Sequence, residues 1–151
     1  IIAVDESAEA LEIFRENLRL NQLFSDGISL IKGDVFQLLR GYRDSGRTFD
    51  MIILDPPKFA PTTAQVERAA RGYKDINLLA MKLLREDGIL LTFSCSGGVN
   101  QELFRKIVAS AALDSGNDFQ IIGQLHQGAD HPIATNFPEG EYLKGLILMR
   151  I

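Results

Sequence analysis

"FDMIILDPP", Phe49–Pro57, reads as an apolar strand stopped by two consecutive prolines. Proline offers no N–H to a ladder, and it holds the residue before it in an extended conformation. Upstream, "IIAV" (Ile1–Val4) is a continuous apolar run, as in a strand buried on both faces. Residues 7–21 carry Leu11, Phe14 and Leu18 at helical spacing, with Ser7 placed to cap the helix. "GISLIKGD" (27–34) is a second strand and "VFQLLRGYR" (35–43) a short helix. Downstream lies "KFAPTTAQVERAAR" (58–71), a loop of a length that is often functional or mobile. A helix over 73–85 follows, with Tyr73, Ile76, Ala80 and Leu83 or Leu84 on its buried face. "GILLTFSC" (88–95) is a fourth strand. Leu103, Phe104, Ile107, Val108 and Ala111 mark another helix, and 119–126 and 142–151 read as the closing strands.

Strands alternating with helices imply an α/β fold with a parallel sheet covered on both faces. The final two strands have no helix between them, so the last can run antiparallel. No repeat, low-complexity segment or linker is present, and one domain over 1–151 is expected. The chain opens directly on a strand, which leads us to expect a fragment whose upstream part is missing.

Composition narrows the class. Of 151 residues, 46% are hydrophobic and 24% charged, the balance of a globular protein. No apolar run approaches the roughly 20 residues of a bilayer span, so no membrane partner is expected. One cysteine forms no intrachain disulfide, which points to a reducing, cytoplasmic setting. The net charge of −4 lacks the basic footprint of a nucleic-acid binder. Any grip on nucleic acid would come from elsewhere or from a local patch.

In open α/β sheets, ligands sit beyond the carboxyl ends of the strands. Four strands end in residues with chemistry. Asp5 could hold a ribose diol, or favour a helix N-terminus as a solvated acid. Asp34 could accept from an adenine amine with Val35 and Phe36 against the ring, or cap the next helix. "LDPPK" (Leu54–Lys58) makes a rigid turn able to present a carboxylate and carbonyls to a flat base, or merely ends a strand. Cys95, in "LLTFSCSGG" (90–98), is by type a small buried hydrophobe. Its place at the end of the next strand, before two glycines and a helix start, also suits a thiolate nucleophile. His126 and His131 lack metal-ligand spacing, and no metal site is expected.

Taken together, "VDES", "GDVF", "LDPPKF", "GYKDINLLAMKLL", "LLTFSCSGG" and "ADHPI…FPEGEYLK" resemble the S-adenosylmethionine-dependent RNA methyltransferases of the bacterial RlmI type. That family methylates carbon 5 of a cytosine in 23S ribosomal RNA. The resemblance covers nearly the whole chain, with its motifs in order. It implies a Rossmann-like class I methyltransferase sheet, mostly parallel with an antiparallel last strand. The first strand and its glycine loop, which hold the methionine part of the cofactor in the family, would be missing here, as would the family's N-terminal RNA-binding and linking domains. By match to the family, Cys95 is the nucleophile and Asp55 lies against the base. Asp5, with Glu6 and Ser7, holds the ribose of S-adenosyl-L-methionine, and Asp34, with Val35 and Phe36, the adenine. Asp55 and Pro56 complete the cofactor set. Pro56, Pro57, Lys58 and Phe59 form the substrate set. Other RNA cytosine-5 enzymes carry a second cysteine near "DPP"; its absence leaves the proton-removing base unassigned.

Three rival readings are open. An amino-group methyltransferase acting on guanine or adenine uses an acid-Pro-Pro-aromatic turn and needs no cysteine. A nicotinamide dehydrogenase would use Asp5 but has no role for "DPPK". A truncated scaffold would be inactive. With unpaired sheet edges, the isolated chain is expected to bind S-adenosylmethionine weakly and to self-associate, as in a homodimer.

Overall fold

The computed structural model describes residues 1–59 and 65–151. The expected loop over 58–71 falls partly outside them, at 60–64. The chain divides into two compact units, Ile1–Ser45 and Gly46–Ile151.

The first unit holds β1 (Ile2–Asp5), α1 (Ala8–Leu20), β2 (Ser29–Lys32) and α2 (Val35–Asp44). β1 and β2 pair in parallel, from Ile2 opposite Ser29 to Asp5 opposite Lys32. Both helices start where the sequence places a capping side chain. Ser7 Oγ accepts the Ala10 N–H at 3.1 Å, and Asp34 Oδ1 accepts the N–H groups of Phe36 and Gln37 at 2.7 and 3.1 Å. Leu18 and Leu39 are the buried apolar residues of this unit. The expectation of a first strand buried on both faces is corrected: Ile2, Ala3 and Val4 are half-buried and Ile1 is 81% exposed. Within this unit α1 packs on both strands, and one helix covers only one face of a two-stranded sheet. Phe14, expected on the buried face of α1, stays largely at the surface.

The second unit holds β3 (Phe49–Leu54), α3 (Val66–Leu83), β4 (Leu84–Ser94), α4 (Gln101–Ser115), β5 (Phe119–Leu125) and β6 (Lys144–Arg150), with a 3-10 turn at Pro138–Gly140 before β6. Its sheet order is β3-β4-β6-β5. β3 and β4 are parallel, and β6 runs antiparallel to both β4 and β5. The antiparallel last strand is as expected. α3 and α4 bury Tyr73, Ile76, Ala80, Leu83, Phe104, Val108 and Ala111 against each other and the sheet, with Leu90, Leu146 and Leu148 from the strands.

Two boundaries differ from the sequence reading. α3 begins at Val66, not Tyr73, because "ERAAR" (67–71) is built of strong helix formers. β4 begins at Leu84, directly on the helix end, and its register against β3 jumps from Leu84 to Ile89. The jump is made at Asp87, with φ of 61°, and Gly88, where a Cβ would sit 2.7 Å from the Arg85 carbonyl oxygen.

Candidate active site

The carboxyl ends of β3 and β4 lie side by side. Leu54 is opposite Thr92, so the chain leaves β3 at Asp55 beside the strand that ends at Ser94 and leads to Cys95. The sequence-predicted neighbours are therefore on adjacent parallel strands. Asp55 is exposed, Pro56 is buried, and Pro57 and Lys58 are exposed. The buried first proline anchors the turn, which lifts the carboxylate and Lys58 to the surface. Phe59 folds back: its ring centroid is 4.7 Å from that of Tyr73, and it packs against Gly72 of α3. It acts as the link between the proline turn and α3.

Cys95 is half-buried and its flanking serines are fully buried. The turn that carries it is held from two elements, α3 and β6, and by a hydrogen bond of its own. Tyr73, completely buried on α3, places its hydroxyl 2.9 Å from Ser96 Oγ. The Val99 N–H donates to the Ser96 carbonyl oxygen at 3.1 Å, closing the turn before α4. Lys144, the first residue of β6 and opposite Ser94, donates its ammonium to the same carbonyl at 2.8 Å and to that of Tyr142 at 2.6 Å. Next to Lys144, Gly145 leaves no room for a side chain: a Cβ there would lie 2.7 Å from the Phe93 ring and 2.8 Å from Leu125 Cβ. That close approach lets β6 press the lysine against the Cys95 turn.

Lys144 is 8% exposed, unusual for a lysine. Burial pushes its ammonium below the ordinary lysine range. A negative charge on Cys95 pulls it back up, and the like charge of Lys58 pushes it down again. Sequence reasoning missed Lys144 and the hydroxyl of Tyr73. The signal for the first was a single lysine opening the otherwise apolar strand "KGLILM" (144–149). A cavity of about 400 Å³ opens alongside, with Gly97, Gln101, His126, Glu141 and Lys144 in its wall.

The remaining candidates lie in the first unit. Asp5 is exposed and its Oδ1 accepts the Ser7 N–H at 2.7 Å, while Gly33 N–H donates to the Asp5 carbonyl oxygen. Asp5 and Asp34 therefore stand at the carboxyl ends of two adjacent parallel strands. Both serve local capping roles through one oxygen. Glu6 and Ser7 are exposed, and Val35 and Phe36 are half-buried. Arg40 lies over the Phe36 ring at 5.8 Å. His126 and His131 are exposed, 3.8 Å from Glu141 and 3.7 Å from Asp130. Among the described residues, no helix is long and apolar enough to cross a membrane.

No family model matches the chain. It is 58% identical, over all 151 residues, to the Ribosomal RNA large subunit methyltransferase I of Tolumonas auensis, of which it spans 38%. It is 54% identical over 145 residues to the protein of that name from Escherichia coli, matching 96% of this chain and 37% of that protein. Among solved structures it superposes on SMU.776, a methyltransferase complexed with SAH, with a TM-score of 0.82 at 19% identity over 98% of this chain and 38% of the other. NSun6 from Pyrococcus horikoshii, solved with SFG, gives a TM-score of 0.64 at 22% identity over 99% and 40%. The chain has the fold of the S-adenosylmethionine-dependent methyltransferases and is homologous, along its whole length, to part of the bacterial proteins named ribosomal RNA large subunit methyltransferase I.

Proposed function

We propose that this chain is the catalytic part of an enzyme that methylates carbon 5 of a cytosine in large-subunit ribosomal RNA, in the cytoplasm, through a covalent bond to Cys95. One observation carries the reading. A half-exposed cysteine is held on a braced turn, one strand away from the Asp55–Pro57 turn, at the carboxyl edge of the sheet. A cysteine serving only as core filler needs no turn braced from two other elements.

The residues fit S-adenosylmethionine by the chemistry of their donors. Asp5 presents a carboxylate to solvent at a strand end, suited to a ribose diol. Asp34 spends Oδ1 on the α2 cap, and the half-buried ring of Phe36 beside it suits a base plane. When bound, the cofactor supplies an electrophilic methyl group on a sulfonium. The chain's own residues make the acceptor reactive. Carbon 5 of cytosine is a poor nucleophile. Addition of the Cys95 thiolate to carbon 6 forms an S–C bond and moves the electron pair of the 5,6 double bond to carbon 5. Asp55 assists by favouring the protonated ring at N3, with the carbonyls of the proline turn receiving the amine. Once carbon 5 has spent that pair on the methyl group, whose former bonding pair stays on the cofactor's sulfur, loss of the carbon 5 proton to a base restores the double bond and expels the thiolate.

The test uses the Tolumonas auensis relative with this chain in place of its matched segment. The chimera is incubated with S-adenosylmethionine and ribosomal RNA containing 5-fluorocytidine, whose fluorine blocks the final elimination. A protein–RNA adduct that survives denaturation, and disappears in Cys95→Ala, is the expected result. Methyl transfer to RNA without an adduct would overturn it in favour of amino-group methylation and leave Cys95 in the core.

A further inference from the structure

A buried charge is costly unless it is hydrogen-bonded and paired with an opposite charge. The Lys144 ammonium meets only half of that requirement. Its hydrogen bonds go to two neutral main-chain carbonyls, Ser96 and Tyr142, which account for two of its three N–H donors. Among the described residues it forms no ion pair with a carboxylate. Glu139 and Glu141 share the wall of the adjoining cavity with it without pairing to it. Lys58, the other charge acting on it, has the same sign. The group able to carry an opposite charge beside it is the Cys95 sulfur, one residue from the carbonyl that the ammonium grips. A lysine fixed in this way is a built counter-cation with a sulfur as its natural partner.

We propose that Lys144 is the positioning residue for Cys95: its buried ammonium clamps the Ser96 carbonyl, and so the turn, and neutralises the sulfur when it is anionic. The inference rests on the reading of Cys95 as the nucleophile, since a positioned thiolate matters only if the sulfur reacts. It gives a reason for a lysine at the head of an apolar strand. It also explains Gly145, because a side chain there would hold β6 away from Phe93 and withdraw the ammonium from the turn. At the end of each cycle the same charge would stabilise the departing thiolate.

The single cysteine makes the test specific, because alkylation of the 151-residue chain reads Cys95 alone. Iodoacetamide labelling is followed from pH 5 to 9 in the unaltered chain and in Lys144→Met, Lys144→Gln and Lys144→Arg, with thermal melting to show which variants fold. Glutamine keeps donors for the carbonyls but removes the charge. We expect Met and Gln to slow labelling at neutral pH and to move the labelling profile to higher pH, because the neighbouring positive charge favours the thiolate. Arginine should retain most of the rate. Folded Met and Gln variants that label with the unaltered rate and profile would overturn the proposal. The reciprocal measurement needs no lysine variant. In Cys95→Ala, loss of the sulfur's charge should move the titration of Lys144, followed by its 13Cε resonance, to lower pH. An unchanged titration would overturn the pairing. The labelling result stands apart from the fluorocytidine adduct: a charge-dependent Cys95 with no adduct would retire the nucleophile reading and leave the ion pair.

Discussion

The hydroxyl of Tyr73 lies 2.9 Å from Ser96 Oγ, joining the middle of α3 to the turn that carries Cys95 across 23 residues of sequence. The same ring packs at a 52° tilt against Phe59 on one side and meets Phe104 edge-on at 5.8 Å on the other. One side chain thus connects the turn after β3, the turn after β4 and the α4 core. Tyr73→Phe removes only the hydroxyl and keeps the ring contacts. It should cost about 1–2 kcal/mol, the range for a buried hydrogen bond broken at one partner. It should also raise amide exchange at Ser96–Val99 above that elsewhere in the sheet. Equilibrium urea unfolding and hydrogen exchange check the two parts.

Gly145→Ala should destabilise by about 1–3 kcal/mol, as overpacking does, because its Cβ would approach both Phe93 and Leu125 within 2.8 Å. Gly97→Ala is the matched control, since a Cβ there meets nothing within 4 Å and the backbone is not left-handed. Denaturant midpoints of the two variants should differ clearly. Equal midpoints would mean that β6 shifts freely to make room.

Lys144 also gives stability a pH dependence of definite sign. Its ammonium titrates below the ordinary lysine value in the folded chain. Between the folded value and about 10.5 the unfolded chain therefore binds more protons than the folded one, and stability from this group rises with pH through that window. At neutral pH the folded chain bears the cost of the buried charge. The stability of Lys144→Met relative to the unaltered chain should therefore fall as pH climbs into the alkaline range. Paired urea titrations at neutral and alkaline pH measure that change.

Asp34 has two assignments that a pair of substitutions separates. Asp34→Ala removes the α2 cap and should cost about 1 kcal/mol, whereas Asp34→Asn caps nearly as well and should leave the melting temperature close to unchanged. If the residue also accepts from adenine, Asn should weaken S-adenosylmethionine binding in the chimera despite normal stability. Calorimetric titration reads that second effect without interference from the first.

Much of this arrangement was legible because it is local. The caps at Ser7 and Asp34, the stop at Pro56–Pro57 and the helical spacing of Tyr73, Ile76 and Ala80 each depend on neighbours within a turn or two. The adjacency of Asp55 and Cys95 followed from two successive parallel strands joined by a helix. What escaped the sequence was long-range. Lys144 meets Ser96 across 48 residues, and a lone lysine before an apolar run marks an unusual residue without naming its partner. The placement of β6 between β4 and β5 is likewise a matter of sheet order, which hydrophobic periodicity does not encode. The half-exposure of β1 was misread because an apolar run reports what a strand is made of, not how many layers lie over it.

The insertion of β6 between β4 and β5 has a consequence for synthesis. The ribosome delivers β3, α3, β4, α4 and β5 first, yet β4 and β5 have no ladder with each other and wait for a strand that comes some twenty residues after β5. Until Lys144–Arg150 emerge, this sheet exists as separate pieces with open edges, the condition in which nascent chains are most exposed to mispairing. The clamp on the Cys95 turn arrives with that same strand. The Tyr73 and Val99 contacts to that turn can form before β6 is made, whereas the Lys144 contact completes the bracing only as the sheet closes.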